Sequence, residues 1–253
     1  MILKTVEILG VSVHPCTVQE LHQEIKNVIT SNSHALILNV NVHCLNLAYD
    51  QSWLRDYLNT AEVVFCDGAG VILGARILGE EIPGRITYFD WIWQLADFSD
   101  TNDFTFFFLG ARPGVAEAAA AHVKERYPRL KIVGIEHGYF DKTSNSPENQ
   151  AVIQKINAAK PNVLMLGFGM PLQERWLMEN WDVIDANIAL TGGGVFDLLS
   201  GELRRPPTWL TNYGFEWLGR LFIDPKRLWR RYLVGNPLFL WRILKQRTGK
   251  NGS

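Results

Sequence analysis

Hydrophobic residues follow two alternating patterns along most of the chain. Short, mostly apolar runs lie at 35–38, 61–66, 104–109, 163–166 and 188–190. Runs of this length are typical of buried strands, and the apolar residues between them recur at spacings of three and four, which predicts helices. The alternation favours an α/β fold with a mostly parallel, Rossmann-like doubly wound sheet. A strand or hairpin at residues 6–13 and a helix from Thr17 to about Thr30 precede it.

A polar interruption indicates where this α/β region divides. Residues 99–103 read Ser-Asp-Thr-Asn-Asp, directly after Phe98, and are the best candidate for a link between subdomains. We therefore predict two closely packed α/β subdomains at residues 1–98 and 99–195. Residues 196–253 form a third region, a basic helical appendage.

The third region differs from the rest of the chain in charge. From residue 201 onward there are 11 Lys and Arg residues against three acidic residues, a net charge of +8, whereas residues 1–200 carry 14 against 23, a net charge of −9. At about 100° per residue, a helix through this region has a basic face and an apolar face. The basic face holds Lys226, Arg227, Arg230 and Arg231, and the apolar face holds Leu228, Trp229, Tyr232 and Leu233.

Three arrangements of this region remain open. The helix can lie in a membrane interface, close over a binding site, or pack on the core as an ordinary amphipathic helix. Residues 235–237, Gly-Asn-Pro, predict a helix break before a second hydrophobic and basic segment at 238–245.

Composition narrows the function classes. The 253 residues are 47% hydrophobic, which suits a globular protein with a sizeable core, and the net charge of −1 argues against nucleic-acid binding. Cys16, Cys44 and Cys66 are not spaced as metal ligands and lie in or beside apolar stretches, so we expect reduced thiols in the cytosol and no metal site. No run of about 18 uncharged apolar residues predicts a membrane span.

Two glycine clusters follow predicted strands. Gly167 and Gly169 come directly after one apolar run, and residues 192–194 are three consecutive glycines after the next. Loops at the carboxyl edge of a parallel sheet bind ligands, and glycine lets the backbone approach a bulky anion closely. Neither cluster fits the Gly-x-Gly-x-x-Gly template of a dinucleotide fold, which argues against a nicotinamide enzyme.

These features belong to a larger set with a recognisable order. The set comprises Asp-Gly-Ala-Gly at 67–70, Arg-Ile-Thr at 85–87, Phe-Leu-Gly-Ala at 108–111, Gly-Tyr-Phe at 138–140, the segment 167–176 and the segment 191–232. In these residues the chain resembles the WecG/TagA/CpsF glycosyltransferases, over about residues 5 to 245. The set as a whole is highly specific, although no single member is.

The resemblance implies a role for individual residues. Asp67 matches the proposed base that deprotonates the acceptor hydroxyl, whereas its local sequence alone favours a helix cap. Asn39, Asn41, Arg85 and Gln173 match groups that hold the donor sugar and its diphosphate, and we expect Arg85 and Gln173 in a solvent-accessible cleft. The nucleotide side comprises Gly167, Gly169, Gly193, Tyr139 and Asp197. The candidates for stabilising the leaving diphosphate are the arginines Arg85, Arg204, Arg205, Arg220, Arg230 and Arg231. We interpret His43 and His137 as structural.

The resemblance also implies a reaction. It indicates an inverting glycosyltransferase that moves N-acetylmannosamine or a related sugar from a UDP-sugar to a polyprenyl-diphosphate-linked glycan in cell-surface polysaccharide synthesis, without metal or cofactor. The acceptor and catalytic loops would lie at 1–98 and the nucleotide sugar at 99–195. The basic appendage would hold the enzyme on the anionic inner face of the cell membrane.

Two other functions stay open. One is transfer of a hexose such as glucose, because Asn39 stands where the family often has threonine, Val42 where it usually has proline and Tyr88 where glycine is common. The other is a non-catalytic module that binds nucleotide sugars and docks on membranes. A homo-oligomer is compatible with the sequence.

Overall fold

The computed structural model describes residues 4–203 and 216–250, and its main feature is a six-stranded sheet. The strands are β1 Val6–Ile8, β2 Val11–Val13, β3 Ala35–Val40, β4 Val63–Cys66, β5 Thr105–Gly110, β6 Lys131–Glu136, β7 Val163–Gly167 and β8 Ile188–Thr191. The first two form an antiparallel hairpin, and the others are ordered β4-β3-β8-β7-β5-β6. The pairs β3 with β8, β8 with β7, β7 with β5, and β5 with β6 are parallel, which confirms the predicted α/β class.

Helices connect the strands. They are α1 Val18–Thr30, α2 Val42–Asp50, α3 Ser52–Leu58, α4 Ala69–Ile77, α5 Tyr88–Asn102, α6 Val115–Arg126, α7 Pro147–Ala159, α8 Leu172–Asn180, α9 Val195–Leu199, α10 Glu216–Ile223, α11 Pro225–Trp229 and α12 Gly235–Lys250. Short 3₁₀ and π segments span Trp181–Val183 and Arg230–Val234.

Contacts divide the chain into two units whose ranges interleave. The first unit combines the described residues of Met1–Thr17, Asn39–Thr87 and Arg204–Ser253, and the second combines Val18–Leu38 and Tyr88–Leu203. The predicted division into three contiguous regions, at 1–98, 99–195 and 196–253, stays a prediction.

The predicted link at 99–103 is mostly helix. Residues 99–102 form the last turn of α5, in which Ile92, Leu95 and Ala96 recur at helical spacing and are buried. Ser99 continues the same face and is also buried, and the Asn102 side chain donates a hydrogen bond to the Phe98 carbonyl oxygen at 2.8 Å. The periodic burial of one helix face outweighs the polar composition of its end.

The helix break predicted at 235–237 is wrong. Gly235 is the first residue of α12 and follows the π-helical turn directly, and its backbone N–H donates to the Arg230 carbonyl five residues earlier. Pro237 lies in the first turn of α12, where proline is tolerated. The wide π turn changes the hydrogen-bond register ahead of the proline, so the chain stays helical.

Helix α12 belongs to the core of the first unit. Phe239 and Ile243 are buried, and a Cβ atom on Gly74 of α4 would lie 2.7 Å from Cζ of Phe239. The buried Arg242 donates to the backbone oxygen of Asn46 at 2.9 Å and to Oδ1 of Asp50 at 2.5 Å. The C-terminal helix is thus fastened to α2 and α4 by apolar contact and charged hydrogen bonds.

The core of the second unit lies along its parallel strands. Phe106, Phe108 and Met165 are buried, and the backbones of Gly110 and Gly167 approach so closely that a Cβ on Gly110 would lie 2.6 Å from the Gly167 Cα atom. Gly110 also has φ of +150°, a conformation that residues with a side chain rarely adopt. Glycine is therefore required where β5 and β7 end.

Candidate active site

Two strand ends place the polar residues of the first unit. Asn41 follows β3 and caps α2, because its Oδ1 accepts the Cys44 backbone N–H at 3.1 Å. Asp67 follows β4, and its backbone N–H donates to the Val40 carbonyl at 2.8 Å. Gly68 is the N-cap residue of α4, so Asp67 is not the capping residue that its local sequence favours. Both strand ends deliver their side chains to one place.

That place is a cavity of about 430 Å³ formed within the first unit. Its polar lining residues are Asn41, His43, Asp67, Arg85, Thr87, Arg220, Arg231 and Asn236, and its large apolar or aromatic ones are Leu73, Trp217, Tyr232, Phe239 and Leu240. Five of the predicted site residues, Asn41, Asp67, Arg85, Arg220 and Arg231, therefore share one cavity. Helices α10 and α12 and the π turn between them supply one of its walls.

Asn39 supports the carboxylate. Its side chain is buried, and Nδ2 donates to Oδ2 of Asp67 at 3.1 Å. Asn39 is not among the residues that line the cavity. The structure therefore places this predicted sugar-binding residue behind Asp67, where its amide can orient the carboxylate.

Arg231 and Arg220 concentrate positive charge beside Asp67. Burial lowers the pKa of Arg231, and the Arg220 charge lowers it further, whereas attraction to Tyr232 and Asp67 raises it. Nε of Arg231 is buried with no hydrogen-bond partner among the residues that the structure describes. Two neighbouring guanidinium groups that are partly removed from water suit an anionic ligand.

The other predicted arginines are not part of the described cluster. Arg230 is exposed, and its guanidinium lies over the Trp229 ring at 5.2 Å from the centroid. Arg204 and Arg205 lie outside the described residues. Their catalytic and binding roles stay predictions.

His43 is a cavity residue that sequence reasoning set aside as structural. Burial and, to a smaller extent, the Arg231 charge lower its pKa to about 4, so the ring is neutral at physiological pH. The signal in the sequence was its position in the segment that follows β3, two residues after Asn41. His137 lies in the second unit, where its ring accepts the Tyr139 backbone N–H at 3.3 Å.

The second unit brings the glycine loops together. Oε1 of Gln173 accepts the backbone N–H groups of Gly169 at 3.2 Å and Gly193 at 3.1 Å. Gly192 donates to the Leu166 carbonyl at 2.7 Å. The Gln173 side chain is fully buried, so the expectation of an accessible Gln173 is wrong, because its oxygen is engaged by the two loops. The loops after β7 and β8 are joined through one amide.

Asp197 and Tyr139 flank these loops. Oδ2 of Asp197 lies 3.5 Å from where a Cβ on Gly194 would be, and Tyr139 is an exposed ring that follows Gly138. Gly138 donates to the Ala111 carbonyl at 2.8 Å, which connects its segment to the end of β5. The predicted nucleotide-side residues are therefore on adjacent loops of one unit.

The described part of the chain, residues 4–203 and 216–250, contains no group of three His, Cys, Asp or Glu side chains arranged to hold a metal ion. Within the same residues, no helix is both long enough and apolar enough to cross a membrane.

Comparison with known proteins identifies the family. The glycosyl transferase WecG/TagA/CpsF family matches residues 6–253. The chain belongs to this family. As a WecG/TagA/CpsF glycosyltransferase, it carries the cavity with Asp67 and the arginines on segments that lie inside the matched range.

Curated relatives of this glycosyltransferase include proteins from Staphylococcus aureus. Proteins of strains NCTC 8325, COL and MW2 are each 28% identical over 242 residues, covering 95% of this chain and 92% of the relative. Each is named N-acetylglucosaminyldiphosphoundecaprenol N-acetyl-beta-D-mannosaminyltransferase. The similarity extends over nearly the whole of both chains.

Proposed function

We propose that the chain transfers N-acetylmannosamine, or a closely related sugar, from a UDP-sugar to an N-acetylglucosaminyl group on polyprenyl diphosphate, with inversion at the anomeric carbon. The observation that carries the proposal is the shared cavity, in which the Asp67 carboxylate lies with Arg85, Arg220 and Arg231. The names of the Staphylococcus aureus relatives supply the sugar and the acceptor.

The reaction needs a base and an anion-stabilising group on opposite sides of the transferred sugar. The acceptor hydroxyl forms a bond to the anomeric carbon, its proton passes to Asp67, and the bond to UDP breaks with its electron pair on the departing diphosphate. A positioned carboxylate performs the first task. Guanidinium groups perform the second, because their charge stabilises the diphosphate more strongly as the bond breaks.

The glycine loops of the second unit are the proposed site for UDP. At Gly169 and Gly193 a Cβ atom would meet nothing within 4 Å, so glycine there lets the backbone approach a phosphate or ribose closely, whereas the Cβ position of Gly167 is filled by Phe196. Asp197 can accept hydrogen bonds from hydroxyl groups. The exposed ring of Tyr139 can pack on a uracil base. This assignment rests on the location of these loops at the carboxyl ends of parallel strands.

The C-terminal helices of the first unit are the proposed membrane contact. Phe222 is 77% exposed and Trp241 is 58% exposed, and the other exposed apolar residues nearby in sequence are Ile223, Trp229, Leu233, Val234 and Leu244. Lys226, Arg227 and Arg230 are exposed among them. Apolar and basic side chains together bind the interface of an anionic membrane, at about 1 kcal/mol for each basic residue. The enzyme would then lie on the inner face, where its lipid-linked acceptor is.

A panel of UDP-sugars tests the proposal. Transfer to a polyprenyl-diphosphate-linked N-acetylglucosamine is measured for the unmodified protein and for Asp67→Asn, with Asp56→Asn, an exposed carboxylate of the same unit, as the matched control. We expect UDP-N-acetylmannosamine to be preferred, Asp67→Asn to lose about 10²- to 10⁴-fold in rate with UDP affinity retained, and EDTA to leave the rate unchanged.

Three results would redirect the proposal. Preference for UDP-glucose would favour the hexosyl alternative, and binding of UDP-sugars without any turnover would favour the non-catalytic module. An Asp67→Asn rate within a few-fold of the unmodified protein would remove Asp67 as the base.

A further inference from the structure

The second unit contains a buried carboxyl group with no role in the reaction as proposed. Glu174 lies in the first turn of α8, directly after Gln173, and both side chains are almost completely buried. Burial raises the pKa of Glu174 to about 7, although the hydrogen bond from Gln173 opposes this shift. Its Oε2 atom has no hydrogen-bond partner among the described residues.

Glu174 contacts the amide that joins the two glycine loops. Nε2 of Gln173 donates to Oε1 of Glu174 at 2.8 Å, while Oε1 of Gln173 accepts the Gly169 and Gly193 backbone N–H groups. The two ends of an amide differ, since one donates and the other accepts. Rotating the Gln173 amide by half a turn would set its oxygen against the carboxyl and its NH₂ against two N–H donors.

Burying a carboxyl with one engaged oxygen is costly. A buried polar atom without a partner lowers the free energy of unfolding by about 1–3 kcal/mol, and an apolar residue of similar size would avoid this loss. Stabilisation of α8 therefore does not account for a glutamate here. A role in selecting one orientation of the Gln173 amide accounts for the glutamate.

We infer that Glu174 is a positioning residue, which orients the Gln173 amide so that this amide holds the loops at Gly169 and Gly193 in the geometry that receives the nucleotide diphosphate. The inference rests on the proposed function for the identity of the ligand. The hydrogen-bond arrangement itself is independent of that ligand and can be measured without it.

Exchanging the two side chains provides a sharp test. Gln173→Glu alone places two carboxyl groups against each other. When Gln173→Glu is combined with Glu174→Gln, the new amide at 174 donates to the new carboxylate at 173. That carboxylate still accepts the backbone N–H groups of both glycines. The matched control is Asn180→Asp, a second amide-to-acid change on α8, at a residue whose partners are Asn149 and the Trp176 carbonyl. Glu174→Gln and Glu174→Leu form a second pair, in which only the first retains an acceptor for Gln173.

Two quantities are measured on the full-length protein: amide hydrogen exchange at Gly169 and Gly193 by NMR, and the dissociation constant for UDP by calorimetry. We expect about tenfold faster exchange and about tenfold weaker UDP binding in Gln173→Glu and in Glu174→Leu. The double exchange and Glu174→Gln should recover to within about threefold. Asn180→Asp should lower the melting temperature without selectively accelerating exchange at the two glycines.

The outcomes separate the inference from the function on which it rests. Unchanged glycine exchange in folded Gln173→Glu and Glu174→Leu, or equal losses in Glu174→Gln and Glu174→Leu, would overturn the positioning role. Absence of UDP binding to the unmodified protein would contradict the proposed donor site, while the exchange comparison would still decide the role of Glu174.

Discussion

Removing the Asn39 side chain separates the sugar-binding role implied by family resemblance from the carboxylate-supporting role indicated by the structure. Asn39 is buried and donates to Oδ2 of Asp67 at 3.1 Å. A hydrogen bond to a charged group contributes about 1.5–3 kcal/mol, and about 1.4 kcal/mol corresponds to a factor of ten in rate. If this energy holds Asp67 in its reactive orientation, Asn39→Ala should lower kcat by about 10- to 100-fold.

Whether Asn39→Ala changes kcat or the donor KM decides which role is correct. Transfer rates are measured against donor concentration at saturating acceptor, and a carboxylate-supporting role predicts a lower kcat with donor KM within about twofold. Asn39→Thr keeps a hydroxyl donor and should recover part of the rate. The matched control is Asn59→Ala, which removes hydrogen bonds to Gly10 and Ser12 in the same unit. A raised donor KM with unchanged kcat in Asn39→Ala would refute the supporting role and restore the predicted sugar contact.

Three further predictions follow from the first unit. Arg231→Ala should lower kcat at least tenfold more than Arg230→Ala on a short-chain acceptor, because only Arg231 lines the cavity; equal losses in steady-state rates would contradict this. The pKa of His43 is depressed to about 4 by burial, so the unfolded chain binds a proton near pH 6.5 where the folded chain does not. Melting temperature should therefore fall as pH decreases from 6.5 to 4, and a slope unaltered in His43→Gln would exclude His43 as a cause. The protein should sediment with anionic phosphatidylglycerol vesicles and be released by high salt, and the Phe222→Ser, Trp241→Ser double variant should bind less; salt-insensitive solubility of the unmodified protein would remove the membrane contact.

Much of the second unit was predictable because local patterns determine it. Apolar runs of three to six residues formed β5, β7 and β8, and the glycines that follow these runs in β7 and β8 lead into loops at the carboxyl ends of the strands. Such runs become buried parallel strands whatever their partners are, since both faces of the sheet are covered. The apolar run at 61–66 likewise predicted a strand that ends just before Asp67.

Helix continuity in the C-terminal region could not be read from residue types. Gly235 and Pro237 are residues that end helices in isolation, yet the π-helical turn before them and the burial of Phe239 and Ile243 maintain the helix. The burial depends on contact with α2 and α4, which lie more than 150 residues earlier in the chain. Tertiary contact, which supplies most of a helix's stability, decided the outcome.

The chemical roles of neighbouring polar residues were also decided by tertiary structure. The sequence by itself determined the α/β class, the two sets of loops and the residue types available there. It did not distinguish Arg231 from Arg230, Asn41 at the cavity from Asn39 behind it, or a buried Gln173 from an accessible one. A side chain acts through the direction in which it points and the partner that it meets, and both are set when distant segments pack together.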